Sequence, residues 1–473
     1  MNVPSLEFLT FCAIVAALLA LSAVPVWRRS VLLVANLAFF FTFAQGVMSL
    51  VPFVAFLAIG YLAMRIAESY KHRLAFGVIV TLLTLGFCWL KRYAFFPDST
   101  LLSGVFVTAG LSYVFFRVIS LVVDAFQGAL PARVGIATYV NYTLNFTTFV
   151  AGPIQMYAQY HRDEVVRPPL LNASVAGRAL ERIVIGFFKV TVLSPVLLYA
   201  NERSVALAAG PLSTIGSATV AALILSIFPI YLYVNFSGYT DVVIGAARFL
   251  RMELPENFNQ PFSSRGALEF WSRWHMSLST WFKTYVFSPL MMGLMQRFPS
   301  RSVEPLLGVI AYFITFFLVG VWHGQTAMFL ILGLLYGAGV SGNKLFEVAM
   351  VRTRGRAAYQ KLCANPVNEA LSSGLTFLWF AVSLVFFWMS WQQCAHLVGF
   401  FGFGIIAVAA VAIVFVAAAL YRLARLKVCS MLTQTIAWPD YVRLAWCTTL
   451  AVAVISVAVV LNAPAPHVVY KAF

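Results

Sequence analysis

Charged residues are scarce in this chain of 473 residues, at 10% of the total, against about 25% in an average soluble protein. Hydrophobic residues reach 62%. Such a composition excludes an ordinary soluble globular protein and a disordered one. The apolar residues form continuous runs of the roughly 20 residues that a membrane-spanning helix needs, without the alternation of a transmembrane barrel. The sequence therefore predicts an all-α polytopic integral membrane protein with about 11–13 helices, some re-entrant or interfacial. Predicted spans include 101–126, 134–150 and 281–296.

Cysteine is also rare, with six residues in the chain. None of the six cysteines belongs to a Cys-x-x-Cys pair, and Cys12, Cys88 and Cys447 lie inside apolar runs. A thiol in such a run behaves as a small hydrophobic side chain. We therefore expect no disulfide framework, no metal site and no permanently bound cofactor.

Acidic residues are outnumbered by basic ones, 16 against 32, which gives a net charge of +16. The basic residues lie mostly between apolar runs, as in Arg28-Arg29, Lys71 to Arg73, Arg352 to Arg356 and Arg422 to Lys427. Cytoplasmic loops of membrane proteins are rich in Lys and Arg. The charge thus indicates membrane topology and contact with lipid headgroups, and no nucleic acid partner.

Two polar segments interrupt the apolar pattern. The segment from Tyr157 to Arg182 reads as a loop. The segment from Asn235 to Lys283 holds the densest polar chemistry in the chain and predicts either a surface loop or backbone that lines a water-filled cavity.

His323 lies in a strongly apolar stretch, Phe317 to Gln325. A titratable group at membrane depth is a functional hypothesis by default. Because burial disfavours the imidazolium, this side chain would be mostly neutral and able to act as a general base. The structural alternative is a neutral imidazole bonded to a backbone carbonyl.

His275 lies in Glu269-Phe270-Trp271-Ser272-Arg273-Trp274-His275, followed by Met276 to Ser279. On one continuous helix, Glu269 and Arg273 would pair at i,i+4, and Trp271, His275 and Ser279 would share a face. The structural alternative is an amphipathic helix that its Trp residues anchor at the headgroups.

Two pairs of charged residues recur seven positions apart inside apolar runs, Asp241 with Arg248 and Asp124 with Arg117. Residues at this spacing lie on the same helical face. We interpret both as internal ion pairs that fix helix packing.

The segments around the two histidines resemble the membrane-bound O-acyltransferase family, in particular its bacterial branch of alginate O-acetylation and teichoic-acid D-alanyl transfer proteins. The motifs are Phe236 to Asp241, Pro255 to Phe262, Glu269 to Trp281 and Trp322-His323-Gly324, with weaker matches at Ser112 to Gly128 and Ala151 to Ile154. The resemblance covers about residues 110–345 and implies a single domain over 1–473. It departs from the family at Phe287 to Leu290 and Gly333 to Gly337, which leaves the acyl group and the acceptor open.

The resemblance implies acyl transfer, with His323 as the catalytic base and His275 as its active-site partner. The acyl donor would be a cytoplasmic thioester, acetyl-CoA or another acyl-CoA or an acyl-carrier protein. The acceptor would be a hydroxyl of an envelope or exported polysaccharide, reached directly or through a periplasmic or extracellular acyltransferase partner. The protein would lie in a bacterial cytoplasmic membrane, which it crosses many times.

Further residues are predicted to line a central internal passage for the substrates. They are Trp322, Trp271, Trp274, Ser279, Asn257 and Asn259. A basic entrance for the acyl donor is predicted at Arg265, Arg273 and Lys283. We expect His323 near the bilayer midplane and His275 toward the cytoplasmic mouth of the passage.

Two alternatives stay open at this point. One is D-alanyl or other acyl transfer to a teichoic-acid-like polymer. The other is a proton-coupled secondary transporter, in which Asp124, Asp241 and the histidines relay protons.

Overall fold

The computed structural model describes residues 3–94, 107–165, 172–425 and 440–461. Helices make up the regular structure of these residues, without strands. They are α1 (Leu6–Ala20), α2 (Pro25–Phe41), α3 (Val51–Ser69), α4 (Arg73–Leu90), α5 (Leu111–Gln127), α6 (Ile136–Thr143), α7 (Tyr157–Val165), α8 (Ala173–Phe188), α9 (Ser194–Leu207), α10 (Thr214–Phe249), α11 (Ala267–Trp271), α12 (Met276–Phe282), α13 (Ser288–Arg297), α14 (Glu304–Trp322), α15 (Ala327–Arg354), α16 (Arg356–Cys363), α17 (Pro366–Trp388), α18 (Trp391–Arg425) and α19 (Asp440–Leu461).

Within the described ranges, nine helices are long and apolar enough to cross a membrane. They occupy residues 47–69, 73–90, 173–207, 214–249, 304–322, 327–354, 366–388, 391–425 and 441–459. The prediction of an all-α polytopic membrane protein is confirmed. The chain divides into two compact units, of which the first comprises residues 1–190, 236–256 and 456–473, and the second residues 191–235 and 257–455.

Two predicted spans are not single helices. The span predicted over 134–150 contains the short helix α6, after which the Asn145 side chain accepts the backbone N–H of Thr147 at 3.2 Å. Such local side-chain bonds compete with helix formation. The span predicted over 281–296 contains the end of α12, a π-helix over Lys283–Phe287 and α13. A third span was predicted over 101–126. Most of this span coincides with α5, and residues 101–106 lie outside the described residues.

The prediction of a loop from Tyr157 to Arg182 is wrong. It contains α7 and the first half of α8, and its residues 166–171 lie outside the described residues. The side chain of Asn172 starts α8 by accepting the N–H of Val175 at 2.8 Å, a favourable N-cap. The prediction of a loop from residue 235 onward is also wrong over residues 235–249, which continue α10.

In the first unit, the charged pairs predicted at seven-residue spacing have other partners. Arg117, 1% exposed, donates to the carbonyl oxygens of Thr143 at 2.8 Å and Thr148 at 2.9 Å, and also to the Thr148 hydroxyl. The predicted Arg117–Asp124 ion pair is therefore wrong. Seven residues rise about 10 Å along a helix, which is too far for two side chains two turns apart to meet easily.

The same distance separates Asp241 from Arg248, and this predicted pair is wrong as well. Asp241 accepts from Arg182 at 2.9 Å and from Lys189 at 2.7 Å. Arg248 pairs with Glu253 at 2.5 Å. The acid on the apolar helix α10 is thus neutralised by cations that α8 and the residue after it supply.

In the second unit, α14 and α15 form an antiparallel hairpin whose backbones touch. A Cβ atom on Gly320 would lie 2.3 Å from Cα of Gly333. A Cβ on Gly337 would lie 2.8 Å from the carbonyl oxygen of Phe313. Glycine at these positions allows the close approach, and the hairpin holds the end of α14 in place.

Candidate active site

His323 caps the C-terminus of α14 and is 4% exposed. Its Nδ1 lies 2.6 Å from the carbonyl oxygen of Val319. Because a carbonyl only accepts, we assign the ring proton to Nδ1, so that Nε2 is the nitrogen that carries the lone pair of the neutral imidazole. The structural alternative predicted a bond from His323 to a backbone carbonyl, and this bond is present. It favours the tautomer with the proton on Nδ1, in which Nε2 could act as a general base.

Aromatic rings surround the His323 imidazole. The ring centroids of Trp322, Phe387 and Tyr336 lie 4.9, 5.7 and 6.3 Å from it. Gly324 follows directly, and a Cβ there would lie 2.1 Å from the ring of Phe329. The Trp322-His323-Gly324 motif is thus tightly packed on both sides of the histidine.

We expected His275 to lie within one continuous helix, and this expectation is wrong. Helix α11 ends at Trp271 and α12 begins at Met276. His275 has φ 43° and ψ 52°, a left-handed conformation that is uncommon outside glycine. The shared face of Trp271, His275 and Ser279 is therefore wrong. The predicted pair of Glu269 and Arg273 is confirmed, with a distance of 2.9 Å.

Asn257 holds this turn from a separate stretch of chain. Its backbone oxygen accepts the N–H of Met276 at 2.9 Å. Its side-chain oxygen accepts the N–H of Ser277 at 3.3 Å and the Ser277 hydroxyl at 2.6 Å. Asn259 adds a further backbone bond, from its N–H to the carbonyl of Arg273 at 2.9 Å. These bonds bracket His275 on both sides and hold it in its left-handed conformation.

The His275 side chain is completely buried. The neighbouring charged side chains of Glu269 and Arg273 remain partly exposed, and the position of His275 toward the cytoplasmic mouth of a passage stays a prediction. Burial lowers the pKa of His275 well below its ordinary value, and a positive charge on His323, when that ring is protonated, lowers it further. His275 is thus a neutral imidazole whose electrostatics are coupled to those of His323.

Trp271 and Ser279, both predicted passage residues, line a pocket of about 300 Å³, together with the predicted entrance residue Lys283. Trp274 packs elsewhere, stacked on Phe270 at 5.5 Å and edge-on against Phe258 at 5.1 Å. Asn257 is buried and Asn259 exposed. Residues that we predicted as one group thus have several different surroundings.

The three predicted entrance cations also differ. Arg265 pairs with Glu269 and Glu369, at 3.3 and 2.7 Å, and Arg273 pairs with Glu269. Lys283 forms no ion pair with the residues that the structure describes. Burial would raise the pKa of Glu269, but hydrogen bonds and charges from Arg265 outweigh it and lower that pKa.

Sequence reasoning missed Tyr336, which α15 supplies. It is 2% exposed, and its ring contacts Trp271 at 5.0 Å as well as His323. The only sequence signal was a tyrosine in an apolar run, which by itself is more often core than site. The three rings form one continuous aromatic contact in the second unit.

Comparison with known proteins gives a consistent result. A family model described as MBOAT, membrane-bound O-acyltransferase family, matches residues 73–370, more than half of the chain. The teichoic acid D-alanyltransferase of Streptococcus thermophilus is 29% identical over 289 residues, 59% of this chain and 67% of that protein. The Bacillus subtilis protein of the same name is 29% identical over 272 residues, 57% of this chain and 65% of that protein.

A probable alginate O-acetylase, AlgI of Azotobacter vinelandii, is 28% identical over 291 residues, 59% of this chain and 55% of that protein. The matched part of the chain therefore spans about two thirds of the teichoic-acid relatives and just over half of the alginate relative.

Proposed function

The chain belongs to the membrane-bound O-acyltransferase family, and from this premise we propose that it transfers an acyl group from a cytoplasmic thioester to a polysaccharide hydroxyl. Acetyl is the acyl group that we favour, and an envelope or exported polysaccharide is the acceptor, reached directly or through a partner acyltransferase. Relatives named as acyltransferases of both kinds support the reaction class. They give no support to the alternative of a proton-coupled transporter.

The observation that carries the proposal is the hydrogen bond between Nδ1 of His323 and the Val319 carbonyl. An acceptor hydroxyl is a weak nucleophile, and a base must take its proton as it attacks the thioester carbonyl. The orientation of His323 leaves Nε2 as the atom that receives this proton.

One histidine is enough for the whole reaction, because it takes up a proton in the first step and returns it in the second. The hydroxyl oxygen bonds to the carbonyl carbon, its proton moves to Nε2, and the tetrahedral oxyanion forms. As the oxyanion collapses, the carbon–sulfur bond breaks and the thiolate takes the proton from the imidazolium. The products are an ester and a free thiol, and His323 returns to its neutral form. The buried surroundings exclude water, which would otherwise hydrolyse the thioester.

His275 has a different role in this scheme. Its pKa lies well below the ordinary value because of burial and the His323 charge, so it stays neutral while His323 is protonated. A neutral imidazole N–H donates to a developing oxyanion without adding a second positive charge. The Trp322 indole N–H and local backbone N–H groups are further donors for the oxyanion.

A D-alanyl group is the second candidate. The observation that favours it is that the match covers a larger part of the Streptococcus thermophilus teichoic-acid relative, 67%, than of the alginate relative, 55%. The two reactions differ in the acyl group and in the carrier, and share the base and the leaving thiol.

The test is to incubate the purified full chain with radiolabelled acetyl-CoA, acetyl-carrier protein or D-alanyl-carrier protein and with candidate glycans. We expect label in the glycan with the wild-type protein and a loss of roughly 10²- to 10⁴-fold with His323→Ala. Size-exclusion elution and melting temperature of the variant serve as the folding control. A well-folded His323→Ala protein with wild-type turnover would exclude this base, and labelled D-alanyl glycan without acetyl glycan would select the second candidate.

A further inference from the structure

Tyr336 lies in the middle of the buried face of α15 and is 2% exposed. Its aromatic ring contacts three other rings of the second unit. The distances between ring centroids are 5.0 Å to Trp271, 6.0 Å to Trp379 and 6.3 Å to His323. The phenol side chain is therefore packed directly beside the proposed base.

Two glycines next to Tyr336 in the sequence hold this stretch of α15 against α14. A Cβ atom on Gly333 would lie 2.6 Å from the carbonyl oxygen of Phe317, and one on Gly337 would lie 2.8 Å from that of Phe313. Backbones in such close contact leave the helix little freedom to shift or rotate. The position of the Tyr336 ring is thus fixed by backbone packing as well as by its ring contacts.

The Tyr336 hydroxyl makes no hydrogen bond to the residues that the structure describes. Buried tyrosine hydroxyls usually have a partner, as the Tyr139 hydroxyl does in the carbonyl of Leu57 at 2.8 Å. A buried polar hydrogen without an acceptor is costly to the folded state. The protein thus keeps a hydrogen-bond donor next to His323 at a cost that a bound acceptor would offset.

The oxygen of this hydroxyl is not sealed by its neighbours. The Trp271 indole nitrogen is unbonded and fully enclosed, whereas the Tyr336 oxygen, unbonded as well, keeps some accessible surface. Leu332, Gly333 and Val340 on the same face of α15 are all buried. The accessible surface of the oxygen therefore opens inside the second unit and not toward lipid.

The chemistry proposed at His323 requires a donor of this kind. Attack on the thioester carbonyl places negative charge on the carbonyl oxygen, and hydrogen-bond donors that are already in place stabilise it. The Phe387 ring also contacts His323 but offers no donor. A phenol keeps its proton at neutral pH, so Tyr336 can donate without competing with His323 for the proton of the acceptor hydroxyl.

We propose that the Tyr336 hydroxyl is a further catalytic group, which donates a hydrogen bond to the thioester carbonyl oxygen as this becomes the oxyanion. The proposal rests on the proposed function and adds a residue to it. No bond is made or broken at the phenol, because its proton stays on the phenol oxygen while the proton of the acceptor hydroxyl moves to His323. The packing of the ring holds the donor in place before the reaction begins, which is the condition for effective oxyanion stabilisation.

The variant Tyr336→Phe in the full chain tests this role, because it removes the hydroxyl and keeps the ring. We expect kcat for acyl transfer to fall on the order of 10²-fold, the usual effect of losing one oxyanion donor. KM for the acyl donor should change little, because the bond strengthens only in the transition state. The melting temperature should stay the same or rise, since a buried hydroxyl without a partner is removed.

The matched control is Tyr160→Phe. Tyr160 is 4% exposed and its hydroxyl makes no hydrogen bond to the described residues, but its ring contacts those of Tyr142 and Tyr157 in the first unit. This variant should keep the kcat of the wild type. Wild-type kcat in Tyr336→Phe would overturn the assignment. A fall in its melting temperature together with kcat would also overturn it, because the hydroxyl would then be structural.

A binding measurement separates this inference from the proposed function. The probes are S-acetonyl-coenzyme A, whose ketone cannot be transferred, and S-isobutyl-coenzyme A, in which a methyl group replaces the ketone oxygen. Tyr336→Phe should weaken binding of the ketone probe by about fivefold and leave the other unchanged. If it does so while the wild-type protein transfers no acyl group to any glycan, the proposed function fails and Tyr336 remains a carbonyl donor. If transfer occurs and Tyr336→Phe changes neither kcat nor the affinity for the ketone probe, the inference fails and the proposed function stands.

Discussion

The side-chain oxygen of Asn257 accepts both the backbone N–H and the hydroxyl of Ser277, at 3.3 and 2.6 Å. Both residues are buried. Together with the bond from Met276 N–H to the Asn257 backbone oxygen, these contacts fix the turn at His275. The conformation of His275 is thus imposed by Asn257, which lies 18 positions earlier in the sequence.

Asn257→Ala should therefore lower stability by about 1–3 kcal/mol, because two donors of Ser277 lose their acceptor in a buried site. It should also lower kcat for acyl transfer, since the left-handed turn at His275 loses a support. Thermal unfolding and steady-state kinetics measure the two effects. The control is Asn259→Ala, an exposed position that should change neither. Equal behaviour of the two variants would contradict the positioning role of Asn257.

Gly320→Ala should separate α14 from α15. The added Cβ would lie 2.3 Å from the Gly333 backbone, which has no side chain that could move aside. Overpacking of this kind costs typically about 1–3 kcal/mol, and the displacement lies three residues before His323. Melting temperature and acyl transfer should both fall. Gly308→Ala on the same helix meets nothing within 4 Å and should be neutral or slightly stabilising. If both variants melt at the same temperature, the hairpin is not held by this contact.

The buried neutral state of His275 predicts a loss of stability in acid. In the unfolded chain a histidine has a pKa of about 6.5, whereas burial places the pKa of His275 in the folded chain well below that value. As the pH falls through the unfolded pKa, the unfolded state binds a proton that the folded state does not, and the free energy of unfolding decreases. Melting temperatures from pH 8 to pH 5 should fall less steeply for His275→Gln than for the wild type. Parallel curves would show that His275 is not buried in its neutral form.

Arg117 and Asp124 should contribute independently to stability. Arg117→Lys should lower the melting temperature, because an ammonium cannot span the Thr143 and Thr148 carbonyls as the guanidinium does. Since these bonds do not involve Asp124, the double variant with Asp124→Asn should show the sum of the two single losses within about 0.5 kcal/mol. A coupling energy clearly above about 0.5 kcal/mol would contradict independence and support the direct Arg117–Asp124 ion pair that the seven-residue spacing suggested.

The structural class of the protein follows from its amino-acid sequence. Continuous apolar runs require helices, because every backbone N–H and C=O in a bilayer must be bonded within its own segment. The sequence also predicted which segments carry the chemistry, since His275 and His323 stand in the motifs that resemble the family. Local pairs such as Glu269 and Arg273 could be predicted as well, because i,i+4 neighbours meet on any helical turn.

Contacts between these segments could not be read from the sequence and depend on how the helices pack. The continuous-helix interpretation around His275 failed because Asn257, distant in sequence, bonds the turn and outweighs local helix propensity. Asp241 and Arg117 found partners on other segments, because side chains two turns apart on one helix are farther apart than neighbours across a helix contact. Sequence spacing predicts which residues share a face of one helix, but contacts between helices depend on packing in three dimensions. For that reason Tyr336, between Trp271 and His323, emerged only from the fold.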